Sequence, residues 1–226
     1  GRRDAQESRG LGDVYKRQVN TYAQRLGYLP SKTKWQQLRD DSLRVIFPAG
    51  EEATARRVAS LMLKLGAVDL IAQDSRYKPI SVVLQPQTNV SNGYVGLAPY
   101  VSEFYIQPNE NPFELGTLPW ADLLALHEYR HVQQLNAVNT GFSHLIKVIF
   151  GDLAFSGMYG LAIANWLREG DAVKTGTKWT TQGRGRLSRF TLPFREKCKE
   201  EEPWSYYKLR NGSYKIYTPD HYPLGY

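Results

Sequence analysis

The stretch Trp120–Leu135, WADLLALHEYRHVQQL, carries two histidines four residues apart inside an apolar repeat. Because residues four apart lie on one face of an α-helix, His127 and His131 can direct their imidazole nitrogens to a single point. The apolar positions at helical spacing are Leu123, Leu124, Leu126, Val132 and Leu135. The stretch therefore predicts a packed helix that carries two metal-ligating side chains on one face.

The two histidines and the acidic residue between them form the pattern HExxH, which suits zinc chemistry. Zn²⁺ accepts neutral imidazole at about 2.0–2.1 Å, and catalytic zinc sites keep three protein ligands and a water. Glu128 directly follows the first histidine, where a base acting on that water is needed. The pattern predicts His127 and His131 as zinc ligands and Glu128 as the general base.

A glutamate farther along the chain completes the candidate ligand set. Residues 165–173 have the sequence NWLREGDAV, which resembles the W-x-x-E-G-x-A segment of gluzincin metallopeptidases, the thermolysin-like branch of the zincins. In that family a second helix supplies a glutamate ligand, and by this resemblance Glu169 is the third ligand. Metzincins instead continue HExxH with a glycine and a third histidine. Gln134 and Ala137 occupy those places here, so the metzincin branch is excluded.

One position departs from the gluzincin pattern. Many gluzincins carry an acidic residue four positions after the third ligand, where it orients a histidine. Val173 occupies that position, and the nearest acid, Asp171, faces a different direction on a regular helix. Three groups are candidates for the orienting role, namely Asp171 after a local distortion, Asp152, or a backbone carbonyl.

Four segments together are similar to a narrower group of large exported bacterial proteins, best known from Bacteroidetes. Those proteins join a gluzincin-type peptidase domain to a downstream β-propeller-like region. The segments are HEYRHVQQ (127–134), FGD (150–152), WLREGDAV (166–173) and QGRGRL (182–187). The resemblance implies export to the periplasm or cell surface, a peptide or protein substrate, and a partner in the C-terminal region that this chain lacks.

Both ends of the chain look cut. The first residue is not Met, and residues 8–18, SRGLGDVYKRQ, resemble a translated transposase library adapter. We therefore expect residues 1–18 to be a disordered adapter artefact and residues 19–226 to be a truncated zincin-like catalytic domain.

The composition permits one globular domain, since a hydrophobic fraction of 42% can bury a core. No apolar run reaches the roughly 18 residues of a membrane span, so none is expected. Cys198 is the only cysteine, which rules out an internal disulfide. The net charge of +7 includes a basic cluster over 174–199. A solvated or docked loop is favoured for this cluster over nucleic-acid binding, because no nucleic-acid-binding module accompanies it.

The remaining periodicities predict an α+β fold. A strand is expected at 42–48 and a helix over 51–70. Two more strands are expected at 80–84 and 95–106, on either side of a polar turn at 89–93. This order agrees with a zincin-like domain in which a mixed sheet precedes the HExxH helix and a mainly helical C-terminal part follows.

The resemblance to zincins also suggests which strand contacts substrate. In zincins the strand just ahead of the HExxH helix lies along the cleft, and Tyr100–Ile106 would be that strand here. The competing interpretation is an internal strand of the sheet that has no contact with substrate. After the HExxH helix, a mostly apolar stretch over 142–167 predicts one or two helices broken near Gly157 and Gly160.

These assignments predict a zinc-dependent metallopeptidase. Glu128 takes the proton of the metal-activated water, and a Tyr or His stabilises the oxyanion. The candidates for that last role are Tyr222, Tyr226 and His221. The alternative function is a zinc-binding interaction domain that lost turnover. Glu128 argues against it, because a purely structural zinc site has no use for a base.

Overall fold

The fold combines a five-stranded mixed sheet with helices. It was obtained as a computed structural model, which describes residues 29–68, 79–109, 111–199, 205–211 and 221–226. The expected adapter artefact at residues 1–18 lies outside the described residues. So do the last two residues of the helix expected over 51–70.

The sheet has two antiparallel edges around a parallel centre. Its strands are β1 (Trp35–Arg39), β2 (Leu43–Pro48), β3 (Ile80–Gln85), β4 (Ser91–Leu97) and β5 (Tyr100–Ile106). Their order across the sheet is β1-β2-β3-β5-β4. Strands β2, β3 and β5 run parallel, while β1 and β4 run antiparallel to their neighbours. Strand β4 is therefore an edge strand, and β5 is internal.

All described elements after β5 are helical. The helices are α1 (Glu52–Val68), α2 (Pro112–Leu115), α3 (Trp120–Val138), α4 (Gly141–Ala162), α5 (Asn165–Lys178), α6 (Ser188–Lys197), α7 (Tyr206–Asn211) and α8 (His221–Gly225), with a 3₁₀ turn at Arg184–Arg186. The expected α+β class with a mixed sheet is confirmed. The HExxH helix begins directly after Pro119, as the sequence predicts.

Helices α1 and α3 pack against the sheet and form the main core with it. Alternate residues of β2 and β3 face this core, which explains the period of two in both strands. The most deeply buried side chains include Val45, Phe47, Val58, Met62, Val82, Leu84, Phe104 and Val132. Burial of each such side chain stabilises the fold by about 1.5–3 kcal/mol. The HExxH helix is thus fixed along its length on the sheet.

Two features of the sheet differ from the sequence prediction. Strand β1 is not predicted, because its side chains are mostly exposed and no apolar alternation marks an edge strand of this kind. The single strand predicted over 95–106 is wrong. The structure has two strands there, β4 and β5, and β4 begins at Ser91 inside the expected polar turn. Asn and Gly are uncommon in strands, which hides β4 in the sequence.

Helix α4 is broken at Gly151 rather than near Gly157 or Gly160. Gly151 has φ 81° and ψ −178°, a conformation that essentially only glycine adopts. The chain leaves the helix again at Ile163 and enters α5 at Asn165. A non-helical residue therefore separates the two halves of α4, and a second interruption of the helical geometry precedes the helix that carries Glu169.

Helix α4 exposes a row of large apolar side chains. They are Phe142, Leu145, Val148, Ile149, Phe150, Leu153 and Leu161. Within the described ranges, α4 is the one helix long and apolar enough to cross a membrane, judged by length and composition only. These two properties are weak evidence for a membrane span. The expectation that the chain has none therefore stays a prediction.

Candidate metal centre

Three side chains from two helices meet at one point beside the sheet. Helix α3 supplies His127 and His131, and α5 supplies Glu169. One carboxylate oxygen, Oε2 of Glu169, lies 3.1 Å from Nε2 of His127 and 3.3 Å from Nε2 of His131. The ligand atoms of all three residues lie within 4.8 Å of one another. The cluster can therefore hold a metal ion.

The spacing of these donor atoms agrees with a tetrahedral ion. Bonds of about 2.0–2.1 Å at tetrahedral angles bring neighbouring donors about 3.3 Å apart. The carboxylate-to-imidazole distances of 3.1 and 3.3 Å match that separation. The donor set of two imidazoles and one carboxylate suits zinc, but it does not exclude other divalent transition metals.

The electrostatics favour the metal-binding forms of His127 and Glu169. Burial lowers the pKa of His127 to about 4, against the opposing effect of its hydrogen bond with Glu169, so its imidazole is neutral at pH 7. For Glu169, burial acts to raise the pKa. Hydrogen bonds from both histidines outweigh burial and hold this pKa well below its usual range. A neutral imidazole and an ionised carboxylate are the states that a metal requires.

His131 differs from His127 in its charge environment. Burial acts to lower its pKa, but the hydrogen bond with Glu169 and the charges of Glu128 and Glu169 raise it overall. In the metal-free chain His131 is therefore the histidine that holds a proton more strongly. A bound cation would take the place of that proton beside Glu169.

Glu128 lies beside the three ligands and is almost fully buried, with 5% of its surface exposed. Burial raises its pKa to about 7, with a further rise from Glu169 and opposing effects of His131 and Arg184. A carboxyl group with a pKa near neutrality can both accept and donate a proton at pH 7. This property suits the role that the sequence predicts for Glu128.

The other ring nitrogen of His131 is held by a residue of the same helix. Nδ1 of His131 lies 2.9 Å from Oε1 of Gln134. Nε2 of Gln134 donates to Asp171 at 2.7 Å and to the carbonyl oxygen of Arg168 at 3.0 Å. Asp171 also pairs with Arg130, the buried arginine inside the motif, at 2.7 Å.

The two acidic residues considered for orienting a histidine, Asp152 and Asp171, each pair with a basic side chain. Asp152 pairs with Lys147 at 3.2 Å. Asp171 reaches His131 only through the amide of Gln134. Sequence reasoning uses Gln134 only to exclude the metzincins. Its spacing of three residues after His131, on the same helix face, is the feature that points to this contact.

An open cavity of about 420 Å³ borders the cluster. Its walls include Gly93–Leu97 of β4, both histidines, Glu128 and Glu169, together with Ser156, Tyr159 and Gly160 of α4. Of the two interpretations of Tyr100–Ile106, the internal strand is confirmed and the strand along the cleft is wrong, because β5 pairs on both sides with β3 and β4. The strand along the cavity is β4, the antiparallel edge that the sequence prediction misses.

Strand β4 lies close to α3 at Gly93. A Cβ atom at this position would lie 2.6 Å from Cδ2 of Leu124 and 3.3 Å from both Cγ and Oε1 of Glu128. Contacts of 2.6 Å are not tolerated without movement. The absence of a side chain at Gly93 therefore lets the strand lie directly beside the catalytic candidate Glu128.

Tyr222 is the candidate oxyanion stabiliser that lies at the cluster. Its ring centre is 6.0 Å from that of His127, and it lines the same cavity. His221 stacks on Tyr222 at 4.4 Å, whereas Tyr226 packs against Phe190. A residue that sequence reasoning assigns to a solvated loop, Arg184, lies 5.2 Å from the centre of the Tyr222 ring.

Comparison with known proteins adds no family assignment. No protein-family model matches the chain, and neither a curated protein nor a solved structure matches it. The description of this centre therefore rests on the positions and electrostatics of its own residues.

Proposed function

We propose that the chain is a zinc-dependent metallopeptidase with a zincin-like fold. The observation that carries this proposal is the convergence of His127, His131 and Glu169 beside Glu128 at an open cavity. A cluster that only stabilised the fold would need the three ligands. It would not need a buried carboxyl group with a pKa near neutrality next to them.

The arrangement of the elements supports the zincin-like part of the proposal. The HExxH helix packs on a mixed sheet, and the edge strand β4 runs antiparallel to its neighbour along the cavity. Its outer edge is not paired within the described sheet. An extended peptide can add to such an edge through backbone hydrogen bonds, which supports a peptide as substrate.

Different residues of the chain have different roles in the proposed hydrolysis. His127, His131 and Glu169 would hold the zinc ion, which would supply Lewis acidity to lower the pKa of a water toward 7 and to polarise a carbonyl oxygen. Glu128 accepts a proton from the water as the water oxygen bonds to the carbonyl carbon. It delivers that proton to the amine nitrogen when the C–N bond breaks. The hydroxyl group of Tyr222 donates to the carbonyl oxygen as negative charge develops on it. The backbone of β4 holds the peptide beside Glu128.

The test separates metal binding from turnover. Zinc content is measured by mass spectrometry in the wild-type protein and in Glu169→Ala, Glu128→Gln and Glu52→Gln. Peptide hydrolysis is measured on the same samples. We expect near-equimolar zinc in the wild type, a loss of zinc in Glu169→Ala, and full zinc with about 10²–10⁴-fold slower turnover in Glu128→Gln.

Glu52→Gln is the matched control, because Glu52 pairs with Arg56 on the exposed face of α1. It should leave zinc content and turnover unchanged. Full zinc without hydrolysis in the wild type would favour the alternative function, an interaction domain built around a metal site. A folded wild-type protein without zinc would contradict both.

A further inference from the structure

The hydrogen bonds of Gln134 fix which way its amide faces. Both acceptors around Nε2, the Asp171 carboxylate and the Arg168 carbonyl, lack protons to donate. The NH₂ group of Gln134 must therefore face them, and its oxygen must face His131. An amide oxygen only accepts, so Nδ1 of His131 carries the proton. When a metal displaces the proton that Nε2 of His131 donates to Glu169, the lone pair of His131 is therefore on Nε2.

Asp171 is in turn held by the arginine of the motif. Arg130 donates to both carboxylate oxygens of Asp171, from Nε at 2.7 Å and from a terminal nitrogen at 3.2 Å. Arg130 is itself buried, with 5% of its surface exposed. Each hydrogen bond in the series from His131 through Gln134 to Asp171 donates toward the negative charge, so that each one strengthens the next.

We propose that Gln134 is the residue that positions His131 for metal binding, and that Asp171 acts on the metal site through the Gln134 amide. This inference rests on the proposed function only in requiring a metal at the cluster. The site does not need an acid at Val173, because Gln134 spans the distance between His131 and Asp171.

The first measurement is zinc affinity, determined by competition with a chromophoric chelator in the absence of substrate. Gln134→Met keeps the side-chain volume but removes the acceptor for His131. We expect it to bind zinc about 10–100-fold more weakly than the wild type. The control is Asn136→Leu, which removes another buried amide of α3. Among the described residues the amide nitrogen of Asn136 has no hydrogen-bond partner, and so it does not hold any of the three metal-ligating side chains. It should retain wild-type affinity.

A second variant tests whether Asp171 acts through the Gln134 amide. Asp171→Asn removes the negative charge but keeps an oxygen that can accept from both Arg130 and Gln134. We expect it to weaken zinc binding about 3–10-fold in the wild-type background. It should have no further effect in Gln134→Met, because the amide that links Asp171 to His131 is then missing. The absorption spectrum of bound Co²⁺ should change in Gln134→Met, because the His131 ring is no longer held.

Thermal unfolding of the metal-free variants separates a loss of fold from a loss of positioning. If folded Gln134→Met binds zinc with wild-type affinity, the inference about Gln134 is wrong. The proposed function as a peptidase is not affected by that result. An equal effect of Asp171→Asn in the wild type and in Gln134→Met would also overturn the inference. Absence of hydrolysis in the wild type would contradict the proposed function alone, because zinc affinity is measured without substrate.

Discussion

Two glutamates of the same centre have their pKa values shifted in opposite directions. Glu128 is buried, its carboxyl group has no hydrogen bond from a histidine, and its pKa is raised to about 7. Glu169 accepts from both histidines, and its pKa is held well below the usual range. Identical side chains thus suit different roles, a proton carrier and a metal ligand, because their neighbours differ.

Tyr222 provides a test at the scale of a single atom. Tyr222→Phe removes the hydroxyl group and keeps the ring that packs beside His127. If this hydroxyl stabilises the oxyanion, kcat should fall about 10²–10³-fold with little change in KM, because the contact strengthens only in the transition state. Tyr226→Phe is the control, since Tyr226 packs against Phe190. Unchanged kcat in Tyr222→Phe would assign the role to another group.

At the scale of elements, the approach of β4 to α3 determines where Glu128 lies. Gly93→Ala would bring a methyl group to 2.6 Å from Leu124 and 3.3 Å from Glu128. Leu124 is buried in the core, and Glu128 would have to turn away from the strand into the cavity. We therefore expect kcat/KM to fall about 10–100-fold while zinc remains bound.

The control for the Gly93 variant is Gly157→Ala in α4. An added Cβ atom at Gly157 meets nothing within 4 Å. This control should keep full activity, and by helix propensity it should be more stable by up to about 1 kcal/mol. Steady-state kinetics and thermal unfolding are measured for both proteins. Wild-type kcat/KM in Gly93→Ala would contradict the idea that this close contact positions Glu128.

The elements that the sequence predicts correctly are those in which a regular pattern of apolar residues lies within the element itself. Helix α3 follows from its apolar period, and β2 and β3 follow from alternation, because in each case one buried face selects the residues. Strand β4 escapes prediction, since its Gly and Asn residues suit a close approach to α3 rather than burial. The break at Gly151 is equally hidden, because no pattern distinguishes its φ of 81° from the helical Gly157.

The site itself could be predicted in part. His127, His131 and Glu128 share one helix, so that their spacing alone brings them together. Glu169 depends on a resemblance, because the fold brings it to the histidines across 42 residues. The spacing of His131 and Gln134 indicates their contact within α3. The second contact, from Gln134 to Asp171, joins α3 to α5, and no spacing within one helix reveals it.

At the scale of the whole molecule, the candidate metal centre joins two structural parts. Helix α3 belongs to the core that covers the sheet, whereas α5 belongs to the helical part and packs closely against α8. The contact between Gly170 and Gly225 is so close that a Cβ atom on either residue would clash with the backbone. A metal bound by both α3 and α5 should therefore stabilise the helical part as well as complete the site.

Removal of the metal tests this coupling. A ligand that binds only the folded state stabilises it by about 2.7 kcal/mol at a free concentration 100 times its Kd. For a chain of this size the corresponding Tm shift is about 5–10 °C. We expect chelation to lower the Tm of the zinc-loaded wild type by that amount, and zinc to restore it. Glu169→Ala lacks the ligand from α5, so its Tm should not respond to the chelator. An equal response of both proteins would mean that the stabilising ion lies elsewhere than between α3 and α5.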